Sequence, residues 1–121
     1  MKPILILVKL IFRLNHNKTK NMNINFEYHD VHKSESLETF VTEKLNKIAD
    51  KYEFLVRADV FFKLENTSDD NSGKITGIRL SAPGPRLFAE SSSENFQKSF
   101  SEAANQVESQ LKKRKSKLNT H

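Results

Sequence analysis

Lys112, Lys113, Arg114, Lys115 and Lys117 crowd the stretch from Leu111 to His121, which carries no acidic side chain. Ammonium and guanidinium groups gathered in this way hold phosphate by charge and reach, without the geometry needed to read base edges. The chemistry they suggest is contact with a polyanion. A lysine-rich last turn would also complement a helix dipole and keep a chain end soluble, but two charges suffice for that. Lys44, Lys47 and Lys51 make a second set at i, i+3 and i+7, hence on one edge of a helix. Taken alone, those three read as an ordinary exposed edge; beside the 112–117 cluster they extend a phosphate-tracking surface.

Charge is distributed in blocks. Residues 1–21 hold five Lys/Arg and no Asp/Glu, residues 22–110 hold ten against fifteen, and residues 111–121 hold five against none. The formal net charge of +5 therefore reports two basic ends around an acidic middle. A polyanion would meet such a surface at particular places and be repelled elsewhere, which favours oriented docking over general adhesion.

Other chemistries have little to stand on. There are no cysteines, which excludes disulfides, thiolate ligands and thiol nucleophiles. His29 and His32 flank Asp30 and Val31, too few ligands for a metal centre, and read as part of a surface turn. Only Gly73, Gly77 and Gly84 are available, so no glycine-rich phosphate loop can form, and no nucleophile elbow is present. The expectation is a protein that is not an enzyme, with no cofactor and no small-molecule substrate. Nor does any segment look like a major-groove recognition helix, as a transcription regulator would need.

At 121 residues the chain has room for one core. Residues 1–21 do not match the rest. The apolar run from Pro3 to Phe12 is ten residues long and broken by Lys9, about half of what crosses a bilayer, and no small-residue cleavage site follows. The segment reads first as an over-extended start or disordered leader, with Met22 as the alternative start. A weak membrane-surface or targeting segment ranks second, and an integral part of the fold last. The domain is expected to occupy residues 22–121, without stable membrane association.

From Met22 onward the hydrophobic period changes repeatedly. Ile24, Phe26 and Tyr28 alternate with Asn23, Asn25 and Glu27, as in a half-buried strand. Ser34, followed by Glu35 and Glu38, predicts the start of a helix. Leu37, Val41, Leu45, Ile48 and Tyr52 then recur at helical spacing, giving a helix over 35–51. Residues 57–65 alternate as the clearest strand, 66–73 (NTSDDNSG) form a polar loop, and 74–82 return as a strand whose register around Gly77 is unsettled, with Ile78 and Leu80 on opposite or distorted faces. Pro83-Gly84 suits a tight turn before a short strand over 86–90.

Ser91 and Glu94 stand at capping-box spacing before a final helix over 94–118. Its apolar stripe is Phe96, Phe100, Ala103, Ala104, Val107, Leu111 and Leu118. A helix of that length, roughly 37 Å at about 1.5 Å per residue, outruns the strands beneath it and should project its basic end. Arg114 falls on the stripe seven residues after Val107. Either its stem passes the edge of the core, or its guanidinium enters a groove between the helices.

The predicted fold class is α+β in the order β-α-β-β-β-α: a four-stranded sheet with two roughly parallel helices packed on one face, like a double-stranded-RNA-binding domain. Residues 22–118 resemble the ribosome hibernation-promoting factor and ribosome-associated inhibitor A family, also called the sigma-54 modulation family, in its short form. The resemblance rests on NINFEYHDV (23–31), VTEKLNKIADKY (41–52), FFKLEN (61–66), APGPRLFAE (82–90) and ENFQKSFSEAANQVESQLKKRKSKL (94–118), in that order and spacing.

The resemblance implies a cytoplasmic, non-enzymatic factor that inserts between head and body of the small ribosomal subunit and occupies the channel used by messenger and transfer RNA. Such a factor silences idle ribosomes in stationary phase or stress. Carried onto this chain, the ribosomal-RNA contacts are Lys44, Lys47 and Lys51 on the first helix and Lys112, Lys113, Arg114 and Lys115 on the second, with Arg86 as an outlying candidate. Long-form members append a dimerisation domain that this chain is expected to lack, so it would act as a monomer. Pairing of ribosomes would then call for a second hibernation factor. The leader over 1–21 departs from the family pattern. The competing reading is a module for double-stranded or structured RNA that is not restricted to ribosomes.

Overall fold

Why the chain folds as it does is clearest from strand register. A computed structural model describes residues 22–65 and 72–119. Its elements are β1 (Asn23–His29), α1 (Glu35–Lys51), β2 (Arg57–Leu64), β3 (Lys74–Ser81), β4 (Leu87–Ser93) and α2 (Phe96–Leu118). The sheet order is β1-β2-β3-β4. β1 lies parallel to β2, joined by a crossover through α1, and β2, β3 and β4 form an antiparallel meander.

Registers across the sheet align Ile24 with Ala58 and Leu80, Phe26 with Val60 and Ile78, and Tyr28 with Phe62 and Thr76. Because side chains alternate along a strand, these rungs put one apolar set on one face. Ala58, Val60, Phe62, Ile78 and Leu80 are fully buried there, and Leu87 and Ala89 of β4 extend the layer. Phe62 is its hub, with ring centroids 5.3 Å from Tyr28, 5.5 Å from Phe96 and 6.4 Å from Phe26.

Ile78 and Leu80 thus share the helix-covered face, and pairing runs without interruption from Lys74 to Ser81. That corrects the expectation of a distorted register around Gly77. The glycine lies on the opposite face, where a Cβ would overlap the Phe61 ring.

Both helices cover the apolar face. α1 is capped by Ser34, whose hydroxyl accepts from the Leu37 amide at 3.2 Å, and it buries Leu37, Val41, Leu45, Ile48 and Ala49. α2 buries Ser99, Phe100, Ala103, Ala104, Val107 and Leu111 over β3 and β4. The helices run in the same direction: Phe40 meets Phe100 near their starts, and Lys51 meets Glu108 further along.

Two boundaries differ by more than one residue from the sequence reading. β4 extends to Ser93, because Ser93 turns inward and is 4% exposed, while the Ser92 hydroxyl accepts from the Gly73 amide at 2.8 Å. Ser91 therefore belongs to the strand and is not a cap; its hydroxyl donates to Glu102. The N-cap of α2 is Asn95, whose Oδ1 accepts from the Lys98 amide at 2.8 Å, so the helix starts at Phe96. Leu118, placed on the apolar stripe by its spacing, lies past the end of the sheet and is 40% exposed. The 1–21 segment and most of the 66–73 loop fall outside the described residues.

Candidate nucleic-acid interface

Parallel helices bring two C-terminal ends to one end of the sheet. On α1, residues 40, 44, 47 and 51 fall within one narrow arc, and contacts at Phe40 and Lys51 turn that arc toward α2. On α2, residues 105, 108, 109, 112, 115, 116 and 119 share the facing edge. Between them opens a groove of about 840 Å³, lined by Lys51, Tyr52, Asn105, Glu108, Ser109, Lys112, Lys115, Ser116 and Asn119.

Local physics explains why the cations converge there. The last carbonyls of α1 have no intrahelical partner and form the negative end of its dipole. Lys115 answers them: its Nζ lies 3.5 Å from the Lys51 carbonyl oxygen and 5.7 Å from the centre of the Tyr52 ring. Lys51 in turn sits 3.3 Å from Glu108, whose side chain is 22% exposed. Three lysines and one carboxylate thus line the same groove, with amide and hydroxyl side chains among them. Such a lining suits an oxyanion such as phosphate, which takes hydrogen bonds from amides and hydroxyls as well as charge.

The basic tip of α2 is divided by its helical turn. Lys112 and Lys115 enter the groove. Arg114 points the other way, toward the turn before β4, where its guanidinium donates to the carbonyls of Pro83 at 2.6 Å and Pro85 at 2.9 Å. Of the two courses open to it, this side chain takes the one past the core edge and not the one into the groove. Lys113 is exposed and lies outside the groove lining. Lys44 is half-buried and Lys47 exposed, both on the α2-facing arc but nearer its start. Arg86 is separate from all of these, on the uncovered face of the sheet beside Arg79.

Asn105, Glu108, Ser109, Ser116 and Asn119 were not singled out from the sequence, and Tyr52 was read only as part of the apolar stripe of the first helix. Their signal was the same period that revealed the lysines, extended beyond the basic residues. Among the described residues no group of three or more His, Asp or Glu side chains is placed to hold a metal ion, and no helix is long and apolar enough to cross a membrane.

Fold and groove together define a small α+β domain with a cationic cleft at one end of a helix pair. The chain belongs to the family described as Sigma 54 modulation protein / S30EA ribosomal protein, whose family model matches residues 24–119. Solved structures agree in fold. A ribosomal subunit interface protein from Coxiella burnetii superposes with a TM-score of 0.68 at 22% identity, covering 78% of this chain and 99% of the other. The N-terminal domain of Protein Y from Thermus thermophilus superposes with a TM-score of 0.65 at 20% identity, covering 76% and 98%. No curated protein matches the sequence significantly.

Proposed function

We propose that this protein is a cytoplasmic ribosome hibernation factor that docks on the small ribosomal subunit. It occupies the messenger and transfer RNA channel and so inhibits translation in stationary phase or stress. Family membership supports the ribosomal setting, and one structural relative is described as a ribosomal subunit interface protein. The observation that carries the reading is the convergence of Lys51, Lys112 and Lys115 in one groove at the matched ends of the two helices. Lys44, Lys47 and Lys113 add charge around it, and ribosomal RNA supplies the phosphates.

Sedimentation of a growth-arrested lysate through a sucrose gradient tests this. Wild-type chain is expected with small subunits or whole ribosomes, and Lys112→Glu with Lys115→Glu is expected to release it while its circular-dichroism spectrum remains that of the folded chain. Arg114 is left intact because its bonds to the turn are structural. A charge-reversed protein that still sediments with the small subunit would remove the proposal. Binding to isolated RNA duplexes but not to small subunits would replace it with a general structured-RNA module, which a groove that holds phosphates and reads no base edges would equally serve.

A further inference from the structure

The sheet face turned away from the helices is not a plain solvated surface. Register places Asp59 opposite Arg79 and Arg79 opposite Phe88, with Phe61 opposite Gly77 on the next rung. Phe61 and Phe88 are 6.2 Å apart between centroids and within 15° of parallel. Gly77 makes this possible, since any Cβ there would occupy the place of the Phe61 ring. Two aromatic rings thus span three strands on a face with no helix over it, and Phe88 is 44% exposed.

The charges around the rings are unequal. Asp59 is held by Arg57 at 3.0 Å and by Asn25, and Glu90 is held by Lys63 at 3.3 Å. Glu27 has His29 at 3.5 Å, an ion pair only when the imidazole is protonated. Arg79 and Arg86 have no carboxylate partner among the described residues. Arg79 is the cross-strand neighbour of Phe88, and Arg86 lies two residues before it on the same face. An exposed ring with two uncommitted guanidiniums beside it matches the needs of an unpaired nucleotide: a surface for the base and cations for the flanking phosphates.

The Phe88 backbone is also tied down. Gln110 of α2 reaches the outer edge of β4, accepting from the Phe88 amide at 3.3 Å and donating to the Phe88 carbonyl at 2.8 Å. Its side-chain amide completes the edge as a neighbouring strand would, so the backbone that carries the ring is held in place before anything binds. Phe61 is less available, because Lys63 lies 5.5 Å from its centroid and His29 packs edge-on at 6.0 Å.

We propose that the open sheet face is a second nucleic-acid site, in which Phe88 stacks on an unpaired base while Arg79 and Arg86 hold the adjoining phosphates. Phe61, Gly77 and Gln110 are positioning residues. This site lies on the face opposite the groove and does not depend on the ribosomal reading. Asp59, Lys63, Arg79 and Glu90 intersperse the two rings with charge, whereas the core of a protein interface is depleted of charge, which argues against a second copy of the chain as the occupant.

The test is a titration of the full chain with a short labelled oligouridylate and, in parallel, with an RNA duplex. Phe88→Ala and Phe88→Leu should each weaken the single strand roughly tenfold or more, as loss of a base–aromatic stack does, whereas Phe88→Tyr retains it. Arg79→Gln with Arg86→Gln should flatten its salt dependence. Duplex binding, which needs the groove, should be unchanged by Phe88→Ala and lost with Lys112→Glu and Lys115→Glu. Equal single-strand affinity in wild type and Phe88→Leu would overturn the proposal, as would single-strand binding that vanishes with the groove variant alone. A dimer in sedimentation that Phe88→Leu dissolves would overturn it in favour of self-association.

Discussion

Arg114 and Gly84 meet in a single clamp. The guanidinium of Arg114 lies over Gly84 while bridging the carbonyls of Pro83 and Pro85, and a Cβ on Gly84 would fall 2.9 Å from Nη1. Gly84 also has φ of 97°, where an L side chain is strained. The clamp fastens the far end of α2 to the turn that leads into β4. Gly84→Ala is expected to cost about 1–2 kcal/mol from strain and displaced bonds. Arg114→Ala should cost about 1 kcal/mol, and Arg114→Lys should recover only part of it, because one ammonium does not reproduce a planar fork. Urea unfolding midpoints check the series. Full stability in Arg114→Ala would show that the clamp contributes nothing.

Glu108 is the carboxylate inside the cationic groove, 3.3 Å from Lys51. Exposed ion pairs of this kind add little to stability, so Glu108→Gln should alter unfolding free energy by less than about 0.5 kcal/mol. Polyanion binding should strengthen, because Lys51 is released and a repelling charge is removed. The slope of log affinity against log salt should steepen by about one cation's contribution. RNA-duplex titrations at several salt concentrations measure both effects. Weaker binding would mean that Glu108 holds Lys51 in its binding position.

Tyr28 donates to Glu38 at 2.7 Å, joining β1 to the first turn of α1. Burial first, and then the Glu38 carboxylate, push its phenol up from 10.0 to about 12. Its protonated form is favoured in the folded state, so the stabilisation is complete below pH 10 and fades as pH rises from 10 to 12. Tyr28→Phe should lower stability at neutral pH by about 1 kcal/mol. It should also make unfolding less steeply pH-dependent across that alkaline window. Denaturation midpoints at pH 8, 10 and 12 are the measurement; parallel curves for the two proteins would contradict the shifted phenol.

Much of this architecture was legible in the residues. Val60 and Phe62, alternating with Asp59, Phe61 and Lys63, declared β2, and Ser34, Glu35 and the 37-41-45-48 spacing declared α1, because in those segments local preference and final environment agree. Ser91 reads as a cap by its spacing to Glu94, yet tertiary partners make it strand: its own hydroxyl donates to Glu102, and the Ser92 hydroxyl accepts from Gly73. The capping spacing of Ser91 and Glu94 was a coincidence that Asn95 decides. Arg114 shows a different limit. Its angular position was evident, but its partners are carbonyls 29 and 31 residues away, and no local pattern carries their location. The lysine cluster was visible for the same reason that its division was not: charge is read from composition, direction only from the packed helix.

Thr76 and Ser99 put two hydroxyls into the apolar layer, both fully buried and 2.8 Å apart. Each hydroxyl has one proton, so one donates to the other and the acceptor of that bond donates on to the Phe96 carbonyl, 3.2 Å from Ser99 Oγ and 3.4 Å from Thr76 Oγ1, which pins the first turn of α2 to β3 through one small polar cluster. Removing one member takes away the other's 2.8 Å partner and leaves it only the longer contact to the carbonyl, whereas removing both leaves apolar atoms of similar shape. Thr76→Val and Ser99→Ala should each cost about 1–2 kcal/mol. The double variant should cost clearly less than their sum. Unfolding free energies of the four proteins form the cycle. Additive losses would show that the hydroxyls act separately through the Phe96 carbonyl, and that the contact between them adds nothing to the docking of α2.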